Sequence, residues 1–181
     1  MSRRVGAGMV ISILAVTAVA YANVDFSATD VATIFYVDKS DDHNRVDYGI
    51  RLDASCLPTS GSPMVVYWRE FERGSGGRVT HGLNIFEGPV YGVGSQRITE
   101  RRADGATLEV TVQALSSRRL TIRTGPGTSG CTATATTTIG GVRAVLDHVH
   151  LTLGDGPGSL RFADIYGTAV GGGPVTEHIV H

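Results

Sequence analysis

After residue 30, apolar and polar residues alternate almost one by one, and no apolar stripe holds helical spacing for three turns. Side chains two apart on a strand share a face, so this alternation predicts half-buried β-strands throughout. The clearest run is 107–115. Leu108, Val110, Val112 and Ala114 take one face, and Thr107, Glu109, Thr111 and Gln113 the other. Ser116-Ser117 then turns the chain into 118–123, with Leu120 and Ile122 inward, which predicts a hairpin.

The same reading predicts strands at 32–37, 45–52, 64–70, 96–102, 131–138, 142–153, 160–166 and 175–180. One or two more short strands are expected in 83–93, broken by Gly88-Pro89. Asp104-Gly105, Gly140-Gly141 and the glycines at 171–173 supply turn chemistry between neighbouring strands. Nine or ten short strands at this spacing suit an all-β fold, an antiparallel β-sandwich, with a closed or partly open β-barrel as the alternative.

The N-terminus predicts export. Arg3 and Arg4 precede an uncharged apolar stretch at 5–20, and small residues then sit at A-x-A spacing, ending at Ala22. This is the pattern of a cleaved signal peptide, 1–22, with 23–181 left as a single domain. The apolar stretch is shorter than the roughly 20 residues a spanning helix needs, so no membrane span is expected after cleavage. The expected location is the periplasm or the extracellular space of a bacterium. Both cysteines, Cys56 and Cys131, lie in the mature part, and an even count in an exported chain predicts a disulfide between them.

Charge excludes one class of partner. With 16 Lys and Arg against 17 Asp and Glu, the chain lacks the basic excess of a nucleic-acid binder. Other partners stay open.

Several segments together resemble a family. Phe35-Tyr36-Val37-Asp38-Lys39-Ser40, with Asn44, Val46 and Tyr48, resembles the opening F-Y-I-x-R-S-x-N-x-N-x-V-x-Y of exported bacterial proteins known as domain of unknown function 4833. Residues 63–68 resemble its P-V-x-V-Y-W strand, and Val90-Tyr91-Gly92-Val93 its A-Y-G-V. Residues 164–168 with Gly173 and Glu177 resemble the closing Y-G-T-D and G-x-x-V-x-E. The chain departs from the pattern at Asp38-Lys39 and in the turn at 169–174. The resemblance implies export and a compact β-rich domain; it brings no activity and no catalytic residue.

Candidate chemistry is sparse. His148 and His150 sit two apart on one strand and so share a face, as two metal ligands can, and His178 or Asp164 from the last hairpin offers a third. Two histidines on the wet face of a strand are equally ordinary. The glycine that precedes a cupin's first histidine by six residues is replaced by Val142, which rejects that family. Asp38, Asp41, Asp42, His43 and Asn44 form an acidic loop, but the spacing does not match a calcium loop, and Asp and Asn collect in turns for local reasons. There is no nucleophile elbow, H-E-x-x-H or P-loop, which speaks against those enzyme classes, and no cofactor is expected.

Tyr36, Tyr67, Trp68 and Tyr91 are candidates for a ligand patch. Alternation separates Tyr67 from Trp68. Trp68 is assigned to the core with Met64 and Val66, which leaves Tyr67, with Tyr91, as the expected ligand-binding aromatics. Two functional readings follow: an exported binding or scaffolding domain of the periplasm or cell envelope, or a metal-dependent enzyme built on His148 and His150.

Overall fold

A computed structural model describes residues 31–39, 42–71, 77–154 and 159–180. The leader expected at 1–22 and Asp41 of the acidic loop lie outside the described residues.

Each alternating run forms a strand. In chain order they are β1 (Val31–Lys39), β2 (Asp42–Arg51), β3 (Met64–Glu70), β4 (Arg78–Gly82), β5 (Val93–Arg102), β6 (Gly105–Val112), β7 (Leu120–Gly127), β8 (Gly130–Ile139), β9 (Val142–Leu153), β10 (Leu160–Ala169) and β11 (Pro174–Val180). Two expectations are corrected here. Residues 83–93 hold no strand of their own before β5; after a turn at Asn84 they form the one-turn helix α1 (Gly88–Tyr91), with Pro89 in its first turn, where a missing N–H costs nothing. The short strand β4, which the alternation did not announce, pairs with β3.

The strands form one open sheet and not a closed barrel, running β4-β3-β2-β1-β9-β8-β7-β6-β5, with β10 and β11 branching from β9. The branch point is the length of β9. Its Val142–Val145 segment pairs with β8, and its His148–Leu151 segment with β1, while the opposite edge pairs with β10. The β1/β9 contact is parallel, so the sheet is mixed and the purely antiparallel expectation is corrected. A parallel pair needs a long crossover, and here most of the chain supplies it.

The sheet folds over at β9, so that β1 to β4, with the second half of β9 and with β10 and β11, form one layer and β5 to β8, with the start of β9, the other, with the core between. Phe35, Val37, Val46, Tyr48 and Ile50 from the first layer meet Leu108, Val110, Leu120, Ile122 and Ile139 from the second in one buried cluster. Ala144, Leu146, Val149 and Leu151 of β9 and Ala163 and Ile165 of β10 complete it. Polar links cross between layers as well. The Tyr48 hydroxyl, at the centre of the core, donates to the Tyr91 carbonyl at 2.6 Å, and burial pushes its phenol well above the usual range. The Met64 amide donates to Gln96 Oε1 at 3.1 Å.

The covalent link is the predicted one. Cys56 and Cys131 are bonded, with Cα atoms 5.2 Å apart and 75 positions apart in sequence. Cys56 sits in the loop after β2, where Asp53 Oδ1 accepts the Ser55 and Leu57 amides, and Cys131 sits on β8. Thr124 of β7 adds a hydrogen bond to the Cys56 carbonyl at 2.7 Å, so this end of the molecule is tied twice.

Candidate functional site

The outer face of the first layer gathers a dense set of titratable and aromatic side chains that the core does not use. Strand pairing aligns them in two neighbouring rows. One row runs Thr176, Tyr166, His148, Tyr36, Asp47, Tyr67 across six strands. The next runs His178, Asp164, His150, Asp38, Arg45, Arg69. Every residue named is on the face opposite the apolar set of its own strand.

In the first row the rings stack. His148 lies between Tyr36, at 5.0 Å between ring centres and 9° between planes, and Tyr166, at 4.4 Å and 7°. The Arg45 guanidinium continues the stack, 4.2 Å from the Tyr36 ring centre and 5.1 Å from that of Phe71. Burial first, and then the nearby Asp38 carboxylate, raise the Tyr36 phenol above its ordinary value. A bulge in the β9/β10 pairing between Tyr166 and Gly167 lets Asp147 and His148 both face outward. Thr168 Oγ1 donates to Asp147 Oδ2 there at 3.2 Å. Gly167 is required at this point: a Cβ would come within 2.4 Å of the Val145 carbonyl oxygen.

In the second row imidazoles and carboxylates pair. His150 Nδ1 lies 2.8 Å from Asp38 Oδ1, and His178 Nδ1 2.7 Å from Asp164 Oδ1. Both pairs are part-exposed. At the other end, Asp47 is wholly buried and accepts from two guanidiniums: Arg45 Nε at 2.7 Å on one oxygen and Arg69 Nε at 2.5 Å on the other. Burial opposes the charge of Arg69, but the hydrogen bond and charge of Asp47 outweigh it and hold that guanidinium above its ordinary value.

The histidines singled out in the sequence do share this face, but their partners differ. His150 is on Asp38, His178 on Asp164, and His148 is held by rings. Among the described residues no three His, Cys, Asp or Glu side chains are placed to hold one metal ion. The aromatic expectation needs correction. Trp68 packs on the core beside Met64 and Val66, half-buried, while Tyr67 faces outward yet is only 3% exposed. Outward is not exposed here, because the Tyr67 hydroxyl meets Thr33 Oγ1 at 3.2 Å and the Arg69 guanidinium lies 5.8 Å above its ring. Tyr91 is buried on the opposite, core side, edge-on to Trp68 at 5.6 Å. Tyr67 and Tyr91 therefore share no surface.

Asp38, Arg45, Asp47, Arg69 and Tyr166 were missed as site residues. Alternation marks each as outward, but Asp38, Arg45, Asp47 and Arg69 become neighbours only through the β1/β2 and β2/β3 registers, and Tyr166 joins them only through the pairing of β1 with β9, more than a hundred positions apart.

The opening and closing motifs lie on the strands that build this face and its support, and Val90-Tyr91 lies on α1. Residues 35–178 match the family described as domain of unknown function DUF4833. The chain belongs to that family. No curated protein and no solved structure matches it. Within the DUF4833 domain the motif residues take structural parts. Tyr36 stands in the ring stack, Tyr48 in the core, Gly167 at the bulge, and Glu177 accepts the Gly140 amide at 2.6 Å and a guanidinium proton from Arg118. The disulfide fits a protein folded in an oxidising compartment, and among the described residues no helix is long and apolar enough to cross a membrane.

Proposed function

We propose that this DUF4833 domain is an exported binding domain of the periplasm or cell envelope, freed from a leader at 1–22, and that it binds a hydroxyl-rich envelope polymer through the outer face of its first layer. The observation that carries this is the Arg45–Tyr36–His148–Tyr166 stack flanked by the Asp38–His150 and Asp164–His178 pairs. Ring-on-ring packing and carboxylate pairing hold these polar groups in fixed positions at the water boundary. Groups already ordered cost less entropy on binding, and phenol and imidazole edges offer both donors and acceptors to hydroxyls.

Purified peptidoglycan sacculi are the probe. The full chain should fractionate with the periplasm or medium and pellet with sacculi, and Tyr36→Ala/Tyr166→Ala should stay in the supernatant while remaining folded by circular dichroism. Retention in the cytoplasm would overturn export; equal pelleting of the variant, or none by the native protein, would overturn the face.

One observation favours the second reading, a metal-dependent enzyme. Nδ1 of His150 and of His178 each meets a carboxylate, the arrangement that in a neutral ring leaves Nε2 to a metal and that orients metal-ligating histidines. Stoichiometric zinc, iron or copper in untagged protein, lost in His150→Ala, would establish it over the first.

A further inference from the structure

The outer face of the second layer carries a trough of a different kind. It is an open trough of about 390 Å³ where the turn before β7 meets β8 and the start of β9, and is lined by Arg118, Arg119 and Arg143 with Thr121, Thr136 and Thr138 among the hydroxyls. No carboxylate lines it. Arg118 is fixed as a wall, donating to the Thr138 carbonyl and to Glu177, which balances its charge. Arg119 has only a 3.5 Å contact to Glu109, a carboxylate already engaged by Arg97 at 2.8 Å. Arg143, exposed on β9 opposite Thr138, makes no ion pair among the described residues. Four guanidiniums thus face two carboxylates, and the excess sits at the trough.

The floor supplies donors. Thr136 Oγ1 gives its proton to the Thr121 carbonyl at 3.3 Å, but the hydroxyls of Thr121 and Thr138 make no hydrogen bond among the described residues and are free to turn towards a guest. We propose that this trough binds a phosphoryl group carried on a small hydroxylated molecule. A planar carboxylate is satisfied by one guanidinium fork, whereas donors from Arg119 on one side, Arg143 on the other and hydroxyls between them suit the several oxygens of a tetrahedral anion. The volume leaves room for a sugar-sized body beside it.

The test is a titration of the full mature chain with inorganic phosphate, glucose 6-phosphate and glucose, followed by amide NMR shifts at Thr136, Thr138 and Arg143. Saturable shifts are expected with both phosphates, tighter for glucose 6-phosphate, and none with glucose. Arg143→Gln should weaken phosphate binding about tenfold or more, as loss of a charge-assisted hydrogen bond does. Arg119→Gln/Arg143→Gln should abolish it with an unchanged melting temperature. Shifts that never saturate, glucose binding as tight as glucose 6-phosphate, or a double variant that still binds phosphate would each overturn the proposal. Sacculus pelleting reads the other face, so the two proposals fail separately.

Discussion

The two outer faces of the molecule obey the same apolar/polar alternation and are built in opposite ways. On the first layer the outward residues are long, flat and charged, and they cover one another: Asp47 is fully buried on a nominally solvent-facing row. On the second layer the outward residues are threonines and widely spaced ion pairs. Thr132, Thr134, Thr136 and Thr138 line β8, and Arg97 meets Glu109 with both side chains open to water. Alternation therefore fixes which way a side chain points. Whether it ends up wet depends on the size of its cross-strand neighbours. The first layer holds together from both sides of its sheet, the second mainly from the core side and through the disulfide.

Breaking the first face should cost most. Asp47→Asn keeps the shape and removes the charge that two guanidiniums share at 2.7 and 2.5 Å. Breaking a buried pair costs about 3 to 5 kcal/mol, and because Arg45 and Arg69 retain some exposure the lower end, about 3 kcal/mol, is expected. The matching change on the second face, Glu109→Gln, should leave the urea midpoint where it was, since its ion pairs are solvent-screened. Equal midpoint shifts for the two variants would erase the contrast.

The disulfide should come next. It joins the loop after β2 to the β7/β8 hairpin, where Ala133 and Ala135 bury little apolar area. Cys56→Ala and Cys131→Ala should each lower stability by about 2 to 4 kcal/mol, with the double variant no worse than either, because both remove the same bond. Additive losses, or free thiol in the denatured unreduced protein, would show that this end is held otherwise.

Much of the fold was legible because the alternation is strict. The hairpins at Gly140-Gly141 and Gly171 to Gly173 form where the turn residues stand, and Gly140 and Gly141 take the positive φ values of 57° and 80° that a two-residue loop requires. The two cysteines paired because nothing else in the chain competes for either. The failures have one physical source, contacts distant in sequence. Nothing local in Tyr36 or His148 announces that β1 lies parallel to β9, so the ring stack and the Asp38–His150 pair were out of reach. Tyr67 was read as exposed because alternation gives direction and not cover. The aromatic and apolar residues between 83 and 93 looked like a strand, but Asn84, whose side chain accepts the Phe86 and Glu87 amides, turns the chain before one can form.

The smallest expected effect concerns the joint between layers, where Glu177 of β11 holds both Arg118 and the Gly140 amide. The Arg118 hydrogen bond first, against the opposing effect of burial, keeps the Glu177 carboxyl below its ordinary value of 4.5. A carboxyl lowered on folding stabilises the native state fully above its unfolded value, and that contribution disappears as pH falls through the lower folded value. Glu177 is about a quarter exposed, so screening keeps the effect modest. Urea midpoints for the native protein and Glu177→Gln should differ at neutral pH, and the gap should narrow as pH falls below 4.5 and through the lowered value of the folded carboxyl. Since Glu100 and Glu109, the other lowered carboxyls, are unchanged between the two proteins, the converging part of the difference belongs to Glu177 alone. A gap that persists undiminished into acid would mean that the glutamate supports the joint through shape and the Gly140 hydrogen bond, with its charge contributing nothing, and would place this contact with the screened pairs of the second face.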